Sequence, residues 1–540
     1  MKSLSLSFSE TLYHTRLTDV ALADQPLLKS GGYGCKTLSC RYPSSLRFAC
    51  CRATLSAVEK KESSSDGEET VASLVEELRD NFKTGKTKSY EWRITQLEGI
   101  ARMIDEKSKY IAQALREDLN KPELEAFLAE ISNTKSSCML AIKELKNWMT
   151  PEPVTTSVTT SPSSAEIVSE PLGVVLIISA WNFPFLLAID PVIGAIAAGN
   201  AVVLKPSEIA PATSSLLARL FREYLDGTTI RVVEGGVPET TTLLEQKWDK
   251  IFFTGGARVG RIVMSAAAKN LTPVVLELGG KCPAVVDSDV NLQVTARRII
   301  AGKWACNNGQ ACIGVDYVIT TKDFAPKLIE ALKSELVTSF GENPLESKDI
   351  SRIVSSFHFK RLESMLNESG VADKIVIGGQ KNEEKLQISP TILLDVPEGS
   401  SMMQEEIFGP LLPIITVQKI EDGFEIIRSK PKPLAAYLFT NNELLKKKFV
   451  ENISAGGMGI NDAVLHVTVD GLPFGGVGES GMGGYHGKFS FETFSHKKGV
   501  LYRSFSWDSD LRYPPYTPKK QKVLTALLSG NLFDAILALF

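Results

Sequence analysis

Between residues 171 and 277, short β-branched runs alternate with helix-forming stretches at a regular pitch, and few folds accept that order. Val174-Val-Leu-Ile-Ile178, Val202-Val-Leu204, Ile230-Arg-Val-Val233, Ile251-Phe-Phe253 and Val274-Val-Leu276 read as buried strands. Helices are predicted between them, over 211–225, from about 239, and over about 257–268. One more helix is predicted with Asp190 as its cap, Pro191 at its first position and Gly199 just past its end. Such alternation predicts an α/β fold with a doubly wound parallel sheet. Residues 278–465 mix strands and helices again and predict a second α/β domain.

Three helical stretches precede the sheet. Val71, Leu74, Val75, Leu78 and Phe82 follow helical spacing up to Gly85, and further stretches cover about 90–118 and 122–149. Together, 68–150 reads as a helical layer. Residues 151–170 are Thr-rich around Pro162 and predict a hairpin or extended arm, and 466–500 returns to a Gly-rich, extended character. In the tail, 501–540, the apolar stretch Val523 to Phe540 is broken by Ser529, Gly530, Asn531 and Asp534 and is too short and polar to span a bilayer. It reads as an amphipathic helix packed on the body, with peripheral membrane contact left open.

The leader differs in kind. Residues 1–58 are rich in Ser, Thr, Lys and Arg, with Glu10, Asp19 and Asp24 as the acids, and hold no secretory apolar core. The expectation is an organelle transit peptide of plastid type. At 540 residues the chain is expected to form two or more domains, and its net charge of −3 gives no general case for nucleic acid. Five histidines include no metal pair at helical spacing, so no metal is expected. Eight cysteines, four of them scattered through the body, do not form a disulfide framework.

Four segments carry candidate chemistry. Phe253-Thr-Gly-Gly-Ala-Arg-Val-Gly260 joins a predicted strand to a predicted helix. Gly255 and Gly260 let backbone approach a phosphate at a helix N-terminus, although the spacing is not the dinucleotide fingerprint, and a plain turn reads as well. Lys205-Pro-Ser-Glu208 reads as a charged pair that meets ribose hydroxyls, or as a surface loop. Cys312, in Asn307-Asn-Gly-Gln-Ala-Cys-Ile-Gly314, sits among small and polar residues, where a reactive cysteine and a structural one are equally good readings. Glu277 follows an apolar strand and is either a solvated strand end or a buried base with a raised pKa. Asn182, in Ser179-Ala-Trp-Asn-Phe-Pro-Phe185, is an oxyanion donor or a turn residue.

Taken in order, these segments with Leu276-Glu-Leu-Gly-Gly-Lys281, Glu405-Glu-Ile-Phe-Gly-Pro410 and Pro473-Phe-Gly-Gly-Val-Gly-Glu-Ser-Gly481 resemble the aldehyde dehydrogenase superfamily. The C-terminal motifs resemble its family 3 branch, and the leader its plant plastid members. The resemblance covers about 68–520. It implies a Rossmann-like NAD(P) domain over 171–277, a catalytic domain over 278–465, and a bridging, dimer-forming β arm from 151–170 and 466–500. It also implies NAD- or NADP-dependent oxidation of aliphatic, medium- to long-chain or lipid-derived aldehydes to acids through a cysteine thioester, with a role in aldehyde detoxification under stress.

Residue by residue, the resemblance makes Cys312 the nucleophile, Glu277 the general base and Asn182 the oxyanion donor. Lys205 and Glu208 match adenine-ribose contacts, and Gly255, Gly256, Ala257, Arg258, Val259 and Gly260 the cofactor loop. Glu406 and Phe408 match nicotinamide-ribose contacts, and Phe474 is expected near the substrate. Two positions depart from the pattern: Arg258 lies in a loop where a small polar residue usually follows the first Gly, and Ala311 stands where many relatives have Thr. A coenzyme A-dependent acylating enzyme and a catalytically silent homologue are the alternatives. Glu277 argues against the first, and the intact Cys312, Glu277 and Asn182 set against the second.

Overall fold

A computed structural model describes residues 70–530 and 533, apart from 158, 159, 161, 162 and 507. The expected leader over 1–58 lies outside the described residues, as does most of the chain after 530.

The strands of the first sheet fall where the β-branched runs predict them. From one edge to the other the six-stranded order is Gly481–Met482, Val274–Glu277, Lys250–Thr254, Val174–Ile178, Ala201–Lys205 and Ile230–Val232. The five strands from 174 to 277 are parallel, and Gly481–Met482 joins antiparallel to Val274–Glu277. Val174–Ile178 is buried throughout because helices cover both faces, which is why it reads as continuous apolar sequence. The chain leaves Val174–Ile178 toward one edge, then returns to lay Lys250–Thr254 on its other side. Those two strands therefore flank the topological switch point, where open α/β sheets bind ligands beyond their carboxyl ends. The loop carrying Asn182 and the loop starting at Gly255 leave from these two ends.

The second sheet has seven strands in the order Ile375–Ile377, Thr391–Leu394, Leu411–Val417, Tyr317–Thr321, Pro283–Val286, Ala435–Phe439 and Gly457–Ile460. All neighbours are parallel except the edge strand Ile375–Ile377. A third, antiparallel sheet takes Glu152–Val154, Ser164–Pro171 and Ser495–Tyr502, with Ser495 opposite Pro171 and Tyr502 opposite Ser164. The Thr-rich segment and the chain after 494 thus form one β arm.

Two helical expectations need correction. The helix predicted to start at Asp190 runs from Leu186 to Ala198 and passes through Pro191, so Asp190 is a buried mid-helix residue rather than a cap. The cap comes from far away: Glu130 Oε2 accepts the N–H groups of Phe185 (2.9 Å) and Leu186 (3.2 Å). Local sequence carries no sign of such a tertiary partner. The helix predicted over 122–149 is interrupted by a π-helical segment, Ala126–Ser132, before Asn133–Met149. The other helices agree: Val71–Lys83 capped by Thr70, and Tyr90–Leu119 capped by Ser89. In the tail, Pro518–Leu528 is helical and buries Val523 and Ala526. No described helix is long and apolar enough to cross a membrane.

Candidate active site

Cys312 follows the buried turn Asn307–Gly309. Asn307 (φ 50°), Asn308 (φ 51°) and Gly309 (φ 79°) are all left-handed, and a Cβ on Gly309 would sit 2.2 Å from the Gly409 carbonyl oxygen. Polar bonds hold this turn: Gln310 Nε2 donates to the Asn307 carbonyl (3.1 Å) and the Arg352 carbonyl (2.9 Å). Asn182 stands across from it. Its amide nitrogen donates to the Gln310 carbonyl at 3.1 Å and keeps its second hydrogen for another acceptor.

Glu277 ends its strand between Thr254 and Gly481, and its own carbonyl accepts the Gly255 N–H at 3.0 Å. Its side chain is buried and neither carboxyl oxygen has a hydrogen-bond partner. Burial alone pushes this carboxyl well above the usual range. The side chain is therefore not a solvated strand end.

A cavity of about 240 Å³ gathers Asn182, Gly255, Gly256, Glu277, Cys312, Glu406 and Phe408 on its walls, together with Trp181, His358 and Arg361. Burial, reinforced by the charge of Asp316, holds the Glu406 carboxyl up to about 8, and its Oε1 is unpartnered. Phe408 has φ 49° and turns its ring edge-on to Trp181 at 5.3 Å. Arg361 donates to the carbonyl oxygens of Glu406 (3.2 Å) and Ile407, which pins that loop. A second cavity of about 150 Å³ lies on the other side of Cys312, lined by Leu186, Leu187, Ile313, Val464, Val467, Phe474 and Tyr485. Phe474 stacks on His486 with centroids 5.0 Å apart. Leu128, Ala129 and Thr468 line both this cavity and a more open one of about 590 Å³.

Cys312 is thus half-buried between a polar and an apolar wall. Burial, and then the charges of Glu406 and Glu277, push its thiol upward. A thiolate there needs a positive charge brought to it.

The remaining predicted residues sit along the carboxyl edge of the first sheet, outside this cavity. Lys205 ends the strand Ala201–Lys205, is buried, and pairs with the half-exposed Glu208 at 2.6 Å. Gly256, on the cavity wall, caps the 12-residue helix Ala257–Ala268, and Ala257, Arg258, Val259 and Gly260 form its first turn. Arg258 is exposed, and Gly260 lets the helix close on Leu278, which a Cβ would meet at 2.8 Å. Trp181, His358 and Arg361 were absent from the sequence reading. The latter two come from the helix Ser356–Leu366 beside the second sheet, and nothing local ties them to Cys312.

Residues 52–500 match the aldehyde dehydrogenase family. The chain belongs to that family. It is an oxidoreductase acting on aldehydes, with NAD or NADP as cofactor. It is 76% identical over 536 residues to "Aldehyde dehydrogenase family 3 member I1, chloroplastic" of Arabidopsis thaliana, covering 99% of this chain and 97% of that one. It is 46% identical to the rat "Aldehyde dehydrogenase, dimeric NADP-preferring", over 83% of this chain and 99% of that one. The substrate-bound state of Staphylococcus aureus AldH superposes with a TM-score of 0.83 at 41% identity, over 85% of this chain and all of that one. The polar cavity fits one end of a dinucleotide. Gly255 and Gly256 offer bare backbone at a helix N-terminus, with nothing within 4 Å of where a Cβ on Gly256 would sit, and Gly279 lets the Glu406 carboxyl pack against the backbone of the same wall. Among the described residues, no group of three or more His, Cys, Asp or Glu side chains is arranged to hold a metal ion.

Proposed function

We propose that this aldehyde dehydrogenase oxidises aliphatic aldehydes of medium to long chain, including lipid-peroxidation products, to carboxylic acids through a thioester on Cys312. The observation that carries this reading is that Cys312 lies on both cavities at once, the polar one and the apolar one. The apolar cavity, continuing past Leu128 and Ala129, suits a hydrocarbon chain. The polar cavity suits the nicotinamide end of the cofactor, with Glu406 and Phe408 on its ribose, Gly255 to Gly260 near its phosphates, and Lys205 and Glu208 at its adenine ribose. When bound, an oxidised nicotinamide supplies the hydride acceptor and the positive charge that Cys312 lacks.

The Cys312 thiolate adds to the carbonyl carbon, and the carbonyl oxygen takes up the negative charge. Asn182, through its free amide hydrogen, and the backbone N–H of Cys312 stabilise that oxyanion, with a typical worth of about 3 kcal/mol per donor. Loss of hydride from the carbon re-forms the carbonyl as a thioester. Glu277 then takes a proton from water, hydroxide adds, and the Cys312 thiolate leaves with the acid as product. Transfer to coenzyme A has no use for a buried, unpartnered carboxylate at this place. The β arm, whose Ser495–Tyr502 edge is largely exposed, suits pairing between two copies as a homodimer. The acid-poor leader and the chloroplastic relative support a plastid location, where clearing aldehydes under stress is the proposed role.

Cys312→Ala tests the core of this. Turnover is expected to vanish while NAD(P) binding, followed by nucleotide fluorescence, stays intact. Residual turnover at more than a trace would overturn the assignment.

A further inference from the structure

Three charged side chains around the π-helical segment have no part in the steps above. Lys121 and Glu130 are fully buried, with Nζ and Oε1 2.5 Å apart. A buried ion pair is a weak source of stability compared with apolar residues of similar volume, so its retention calls for another account. Both partners hold the Asn182 loop. Lys121 Nζ also donates to the carbonyl of Asn182 at 3.2 Å and lies 4.1 Å from the Phe183 ring centroid. The second oxygen of Glu130 takes the N–H groups of Phe185 and Leu186. The pair therefore grips the loop on both sides of Pro184.

The nucleophile's turn is fastened to the same place. Asn307 Nδ2 donates to that same Asn182 carbonyl at 2.7 Å, and the Asn307 N–H donates to Glu125 Oε1 at 2.7 Å. Glu125 and Glu130 are five residues apart, which an α-helix would turn about 140° from one another. The π-helical segment Ala126–Ser132 brings residues five apart back toward one face, so one carboxylate reaches each loop. On the other side of the segment, Leu128 and Ala129 line the apolar cavity at Cys312.

We propose that Lys121 and Glu130 are positioning residues for the oxyanion site. They hold Asn182 where its amide meets the carbonyl oxygen, and Glu125 holds the Cys312 turn in register with it through Asn307. This rests on the reading of Asn182 as oxyanion donor.

The test compares three variants of the full chain: Asn182→Ala, Glu130→Gln, and the double variant Lys121→Met with Glu130→Gln, which removes both charges together. Gln at 130 keeps one acceptor but turns an amide NH2 toward either the ammonium or the backbone N–H groups. Three quantities are measured: the burst of reduced nucleotide with saturating aldehyde, KM, and alkylation of the Cys312 peptide by iodoacetamide, a reaction that forms no oxyanion. Asn182→Ala should slow the burst about 100- to 1,000-fold. Glu130→Gln and the double variant should slow it about 10- to 100-fold, with KM and alkylation within about twofold of the parent. A normal burst in Asn182→Ala would overturn the oxyanion reading, and this proposal with it. A slowed burst in Asn182→Ala beside a normal burst in a folded pair variant would overturn the positioning role alone. So would burst and alkylation falling together, because that is general loosening of the loop.

Discussion

The two cavities that meet at Cys312 are built from opposite materials. One collects Asn182, Glu277, Arg361, Glu406 and bare glycine backbone, and two of its carboxyls are buried without full partners. The other is walled by aliphatic and aromatic side chains, with His486 as its one imidazole. The first side gathers the groups that can take up charge or a proton, and the second is the more apolar of the two. Neither wall by itself activates the thiol. Burial is the main force that raises the Cys312 thiol, so its activation calls for a positive charge, which the proposed nicotinamide on the polar side would bring.

The contrast breaks most visibly on the polar side. Glu277→Gln should keep the burst of reduced nucleotide and lower steady turnover about 100- to 10,000-fold, because water then lacks its base. Stopped-flow absorbance separates the two phases, and an unchanged steady rate would assign water activation elsewhere. The same carboxyl sets a pH dependence. Its pKa is raised, so deacylation should climb with pH as Glu277 loses its proton and then level off.

Stability moves the other way. The folded chain keeps protons on Glu277 and Glu406 that the unfolded chain releases near pH 4.3, so each contributes fully below that pH. The contribution falls as pH rises toward the folded values, about 8 for Glu406. Glu277→Gln should therefore gain thermal midpoint on the parent as pH is raised from 6 to 9, and a constant difference would contradict the burial argument.

On the apolar side the effects are smaller. Phe474→Ala removes a buried ring from the chain-binding wall and should lower kcat/KM for long aldehydes about 10-fold while sparing short ones. Equal losses across a chain-length series would move the chain elsewhere. The smallest expected effect lies farthest from Cys312. The Glu208 carboxylate, proposed to sit at the adenine ribose, would repel a 2′-phosphate, so Glu208→Gln should shift the NADP-to-NAD ratio of kcat/KM a few-fold toward NADP. No shift would place the adenine ribose away from it.

The polar side was also the more legible in sequence, for a physical reason. Parallel strands buried on both faces must be β-branched runs, so Val174–Ile178 and Lys250–Thr254 announce themselves, and Asn182, Gly255 and Glu277 stand at or just past strand ends. His358 and Arg361 reach the same cavity from a helix some 50 residues beyond Cys312, which no local pattern encodes. The misplaced start of Leu186–Ala198 and the overlooked π-helical segment share one cause. Both lie where Glu130, inside the π-helical segment, meets backbone N–H groups 55 and 56 residues away. Local propensity favoured Asp190 and Pro191 as a helix start, and a tertiary cap overrode it.

The account turns on Cys312 as the atom where both cavities do their work. Mixing Glu277→Gln enzyme with NAD(P) and a medium-chain aldehyde, quenching in acid and reading the digest by mass spectrometry tests this directly. The expected result is a Cys312 peptide acylated once, heavier by the mass of the aldehyde less two hydrogens, in proportion to the burst. A full burst with that peptide unmodified, or with the acyl group on Cys306, would contradict it.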